Sequence, residues 1–109
     1  MRTRRSPVFV GLLIIAFALT SAAKSKHSVT LAWQPPKLDK GVSIAGYNIY
    51  RRTPKEHIYK KIATHVSSPP YEDTDVKGGQ TYIYAVSAID QSGREGRLSE
   101  VAQVKIPSP

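Results

Sequence analysis

The chain has 109 residues, no cysteine and a formal charge of +8. That length suits one domain with one core and leaves no room for two. The missing thiol excludes disulfides, thiolate nucleophiles, cysteine metal ligands and a lipidated-cysteine anchor.

Residues 1–23 read as an export leader that stands outside the fold, as an N-terminal signal helix. Arg2, Arg4 and Arg5 give a positive start. Residues 8–19, VFVGLLIIAFAL, make an apolar run of 12. Ser21, Ala22 and Ala23 supply small residues, which places cleavage after Ala23. The run is well short of the ~20 apolar residues a bilayer-spanning helix needs. The alternative is an uncleaved anchor, the one arrangement in which a membrane becomes a partner. Either way the expected location is secreted, periplasmic or at the cell envelope. Without the three leader arginines the charge falls to +5. The lysines are scattered singly, as on a solvated face, so no nucleic-acid partner is expected.

Residues 24–27 form a short lead-in, and the folded domain is expected over residues 28–107. From there the pattern has period two, the signature of strands. Val29, Leu31 and Trp33 alternate with Thr30 and Ala32, and Pro35–Pro36 ends that strand. A second strand runs through GYNIYRR at residues 46–52 and stops before Pro54. A shorter one covers residues 59–63. Residues 71–76 lead into the turn Lys77-Gly78-Gly79. Residues 81–90, TYIYAVSAID, are dense in β-branched and aromatic side chains and make the longest strand. A polar loop with two glycines follows, then a last strand over residues 100–106. Short strands about ten residues apart with turn chemistry between them predict an all-β, two-sheet antiparallel sandwich.

The sequence resembles the fibronectin type III domain, in the short form found in secreted bacterial proteins. The likeness covers residues 28–106. VTLAWQPP at residues 29–36 is similar to the family's second strand, whose tryptophan plugs the core. GYNIYRR is similar to the third. YEDTDVKGGQTYIYAVSAID at residues 71–90 is similar to the run from the fifth strand through the sixth. SEVAQVKIP at residues 99–107 is similar to the last. The resemblance implies an immunoglobulin-like sandwich and a non-catalytic module.

Strand alternation independently predicts a core of Val29, Leu31, Trp33, Tyr47, Ile49, Ile62, Val76, Tyr82, Val86, Ala88, Ala102, Val104 and Ile106. Tyr82 follows the Gly78-Gly79 turn and fits a tyrosine corner, its hydroxyl bonding back to backbone near Val76. The family has a strand ahead of VTLAW. After cleavage only residues 24–27 precede Ser28, so the first strand is expected to be stunted or absent. An uncovered edge would then be open to dimerisation or to an extended peptide.

No catalytic constellation is visible. His27, His57 and His65 match no zinc spacing and are expected at the surface. Asp73, Asp75 and Gly78 fit three positions of a calcium loop. Lys77 and Tyr84 occupy ligand positions and break it, so the acidic cluster is read as a solvated strand end. No phosphate loop, no G-x-S-x-G elbow and no facing carboxylate pair occur. No cofactor or metal is expected. Surface recognition remains. Parity turns Tyr50, Ile83, Ala85 and Gln103 outward, and the loop at residues 91–97 carries Arg94 and Arg97 but no Arg-Gly-Asp tripeptide. Tyr50, Ile83, Arg94 and Arg97 are therefore the candidate interaction surface. The expected role is a binding or spacer module for a protein or an extracellular polysaccharide. The rival is an accessory domain serving a separately encoded carbohydrate-active enzyme.

Overall fold

The computed structural model describes residues 14–21, 26–38 and 40–108. Seven strands run through them: β1 (Ile14–Ser21), β2 (Lys26–Trp33), β3 (Ile44–Arg52), β4 (Lys60–Val66), β5 (Tyr71–Asp73), β6 (Thr81–Asp90) and β7 (Ala102–Lys105). They form two antiparallel sheets, ordered β1-β2-β5 and β4-β3-β6-β7. The all-β sandwich expected from the alternation is the observed architecture.

One expectation is corrected at the N-terminus. The sequence argued for a helix outside the fold and for a stunted or absent first strand. Instead, Ile14–Ser21 is a full strand paired with β2 at eight positions, from Ile14↔Trp33 to Ser21↔Lys26, and it lies against β7. The physical reason is that IIAFALTS, short, apolar and partly β-branched, satisfies a strand as well as a leader core. A short apolar run cannot be assigned by periodicity alone. Arg2, Arg4, Arg5 and the cleavage point after Ala23 lie outside the described residues.

The core sits between the sheets. Val29, Leu31 and Trp33 from β2 meet Tyr47 and Ile49 from β3, and Tyr82, Tyr84, Val86 and Ala88 from β6. Val76 and Ile106 close the cluster, with Ile62, Ala102 and Val104 packed against it and partly buried. Trp33 meets Tyr47 edge-on with ring centroids 5.2 Å apart, a favoured aromatic geometry. Tyr84 was missed by the sequence reading although its parity matches Tyr82 and Val86. It is fully buried.

An ion pair crosses the core. Arg51 on β3 follows Tyr47 and Ile49 on the inward face and donates from Nη1 to both carboxylate oxygens of Asp73, at 2.9 and 2.7 Å. Tyr84 donates its hydroxyl to Asp73 Oδ2 at 2.6 Å, and the Asp75 amide donates to Oδ1 at 3.1 Å. The solvated strand end expected here is therefore half wrong. Asp75 is exposed, but Asp73 is buried, where it neutralises the partly buried Arg51 at the end of β3. Burial and the neighbouring Asp73 push the Tyr84 phenol far above the ordinary tyrosine value, so it acts only as a donor. Burial pulls the Arg51 guanidinium down, but the Asp73 hydrogen bond and charge outweigh it and hold it above its ordinary value.

The turn into β6 is a tyrosine corner. The Lys77 amide donates to the Tyr82 hydroxyl at 3.0 Å, and Gly79 takes the positive φ of 82° that the turn requires. On β3, Gly46 lies against β4 so closely that a Cβ would sit 2.8 Å from the His65 Cα. There the β3–β4 register shifts, and His65 adopts a φ of 56°.

Chemical denaturation should rank three core variants. Trp33→Ala is expected to cost about 3–5 kcal/mol through the cavity it leaves. Asp73→Ala, which strands a largely buried arginine, should cost about 3 kcal/mol. Tyr82→Phe should cost only about 1 kcal/mol, because the freed Lys77 amide is within reach of water. A Tyr82→Phe loss equal to that of Asp73→Ala would contradict this ranking. A chain beginning at Lys24 lacks β1, and its amides between residues 28 and 33 should exchange faster than in the full chain. Self-association that slows them again as concentration rises would mark β2 as the pairing edge. Unchanged exchange at every concentration would show that β1 does not protect it.

Candidate functional site

The outer face of the β4-β3-β6-β7 sheet carries the polar chemistry. Strand register sets Asn48 opposite Ser87, Tyr50 opposite Ala85 and Arg52 opposite Ile83, with Lys61 on β4 opposite Tyr50. Asn48 and Ser87 are buried polar residues on this outward face, and buried polar groups need partners.

Glu95 supplies them. Its position follows from the turn after β6. The Asp90 carboxylate accepts from the Ser92 amide (2.9 Å), the Ser92 hydroxyl (2.7 Å) and the Arg94 amide (2.9 Å). Those bonds hold Asp90 below the usual carboxylate range. The chain turns back at Gly93 and forms a bridge between Glu95 and Ile89, which lays Glu95 over the outer face. There Glu95 Oε2 accepts from Asn48 Nδ2 at 2.9 Å and from the hydroxyls of Tyr50 and Ser87. Thr64 extends the network by donating to Asn48 Oδ1 at 2.6 Å, and its hydroxyl also meets His65 Nδ1 at 3.0 Å. Beside it lies a shallow hollow of about 240 Å³ lined by Asn48, Lys61, Thr64, His65, Ile89, Gly93 and Glu95.

Burial pushes the Glu95 carboxyl up, but the hydrogen bonds from Asn48, Ser87 and Tyr50 outweigh it and hold the group below its ordinary value. Tyr50 moves the other way: burial and the adjacent carboxylate raise it. Around the network, Lys61 Nζ lies 6.0 Å from the Tyr50 ring centroid, Arg52 lies 5.2 Å from that of Tyr59, and the two tyrosines meet edge-on.

The expected interaction surface is only partly assembled. Tyr50 is half-buried and belongs to the Glu95 network. Ile83 and Ala85 are buried despite facing outward. Ile83 is flanked by Arg52 and Gln103 in the register, where long side chains can lay their stems across an apolar neighbour. Arg94 stands at the end of the sheet beside Ser92 and Asp90, and Arg97 is exposed further along the same segment. Neither joins Tyr50 in one site. His57 and His65 are exposed as expected, whereas His27 is buried on β2. Glu95, Asn48 and Thr64 were not singled out from sequence. The one legible signal was asparagine and serine at parity-matched positions of β-rich strands.

Two facing antiparallel sheets in the order β1-β2-β5 and β4-β3-β6-β7, with a tyrosine corner leading into β6, define an immunoglobulin-like sandwich module. The chain belongs to the fibronectin type III family, whose domain model matches residues 17–105. Its relatives include an amylopullulanase of Thermoanaerobacter thermohydrosulfuricus, 45% identical over 78 residues, covering 72% of this chain and 5% of that enzyme. An amylopullulanase of Thermoanaerobacterium saccharolyticum is 37% identical over 78 residues, covering 72% and 6%. The chain thus spans only about a twentieth of the length of these relatives. Among solved structures, an Fn3-like protein from Clostridium thermocellum is similar at a TM-score of 0.65 and 28% identity, covering 96% of this chain and 95% of that one. A fourth FNIII domain of human origin, at a TM-score of 0.70 and 19% identity, shares the fold, with 97% of this chain and 82% of that one covered.

The Glu95 network should carry an acid-sensitive part of the stability. A carboxylate held below its unfolded value of about 4.3 contributes above that pH and loses its contribution as pH falls through the folded value. Denaturant midpoints measured from neutral pH to pH 3 should therefore fall more steeply in the native chain than in Glu95→Gln. Superimposable acid limbs would show that Glu95 is not held by these bonds.

Proposed function

We propose that this chain is a non-catalytic accessory module that works alongside a carbohydrate-active enzyme outside the cell. The observation that supports it best is the 45% identity, over 78 residues, with a segment of an amylopullulanase. Such a sandwich assists an enzyme by placement: it holds neighbouring parts at a fixed separation or presents one face to a partner. The side chains fit that role. The neighbouring acids Asp73 and Asp75 are both engaged by Arg51, so they are not a free pair facing each other across a cleft. The positive start and the apolar run of residues 8–19 support export, and where a leader is removed after Ala23 the exported domain lacks β1.

A transplant tests the reading. In the Thermoanaerobacter amylopullulanase, the segment matching this chain is either deleted or replaced by residues 14–108. The replacement is expected to restore most of whatever thermal stability or polysaccharide turnover the deletion removes. A replacement no better than the deletion, with the inserted domain shown to be folded, would overturn the proposal.

A further inference from the structure

The hollow beside Glu95 has the chemistry of a small ligand site. Three donors, Asn48, Tyr50 and Ser87, converge on Glu95 Oε2. Among the described residues none donates to Oε1. Lys61 and His65 line the same hollow. It therefore presents an anionic acceptor, a cationic donor and a group able to do either, set around a buried amide. A free anion would meet the Glu95 carboxylate, and a free cation would meet Lys61. A neutral ligand rich in hydroxyls satisfies all three, since each hydroxyl both donates and accepts.

Two further observations point the same way. His65 holds a φ of 56°, uncommon for a residue with a side chain, and such strain concentrates where a side chain is aimed at a ligand. Gly46 makes that conformation workable by letting β3 approach the His65 backbone. The volume, about 240 Å³, is below the roughly 300–1,000 Å³ of pockets for drug-sized molecules, which suits one sugar ring.

We propose that this hollow is a saccharide subsite that seats one glucose unit of an α-glucan, with Glu95 accepting from ring hydroxyls and Lys61 and His65 donating to them. The choice of α-glucan rests on the accessory-module reading; the choice of a neutral sugar rests on the side chains. The site is open and shallow, so binding is weak and gains strength where neighbouring modules bind the same polymer.

The test is an amide NMR titration of the isotopically labelled chain with maltotetraose, and in parallel with cellotetraose. Saturable shifts confined to the neighbourhood of Asn48, Lys61, Thr64, His65 and Glu95 are expected with maltotetraose. Lys61→Ala and His65→Asn should each weaken binding about tenfold, roughly one charge-assisted hydrogen bond. Asparagine tolerates the left-handed backbone, so His65→Asn removes the imidazole without adding strain. Exposed Lys61 provides a second variant that leaves the core untouched. No saturable shift with either sugar would overturn the subsite. So would shifts unaffected by both substitutions, or a saturable response elsewhere on the domain. Equal binding of cellotetraose would overturn the assignment to α-glucans. A failed transplant combined with sugar binding in the hollow would remove the accessory reading and leave the subsite standing.

Discussion

An arginine turned inward near the end of a sandwich strand must be neutralised where it sits, and Arg51 sets much of the surrounding geometry. Its partner Asp73 belongs to the opposite sheet, so one ion pair fixes how β3 and β5 face each other. The same carboxylate holds the Tyr84 hydroxyl from β6 and the amide of Asp75, which ties three strands and the departing chain to one point. The Arg51 guanidinium also lies 5.6 Å from the Tyr82 ring centroid, so the corner residue packs on the charge that Asp73 neutralises. A buried pair of this kind is weak support for net stability, because desolvation offsets most of the attraction. Its value here is alignment, since it joins one residue of each sheet.

The outer face repeats the logic with a single charge. Asn48 and Ser87 sit opposite each other on neighbouring strands, where apolar or freely hydrated residues would be simpler. Glu95 answers both because the Asp90 turn delivers it there. A side chain from beyond the strand thus completes a face that the strands leave unsatisfied. Loop and sheet become one unit, and the hollow at their junction takes its shape from both.

Much of this was legible in the sequence. The alternation around Trp33, Tyr47 and Val86 exposed the inward faces, because burial on one side of a strand imposes period two. The Gly78-Gly79 turn ahead of Tyr82 disclosed the corner, although the donor proved to be the Lys77 amide and the phenol oxygen the acceptor. Asp73 was misread because its partner lies 22 residues away in sequence on another sheet, and periodicity carries no information about such pairs. Ile83 and Ala85 faced outward as parity required, yet parity does not reveal that longer neighbours cover them. Glu95 was invisible for a similar reason: its role depends on where a turn returns the chain. The N-terminal segment failed differently, since one composition served two physical purposes.

The way β1 joins the sheet also gives the domain a mechanical polarity. β1 begins at Ile14, opposite Trp33, at the end of the sandwich that also holds Ile44 and Asp90, while β7 ends at Lys105, opposite Thr81, at the other end. Tension between the two ends therefore runs along the strands and loads the eight β1–β2 pairs together in shear, rather than one after another as in a zipper. β1 is also an edge strand, so its loss leaves β2 paired with β5 and the four-stranded sheet intact. Pulled along its length, the domain holds until those pairs yield together, and β1 can then part while the core between the sheets stays closed.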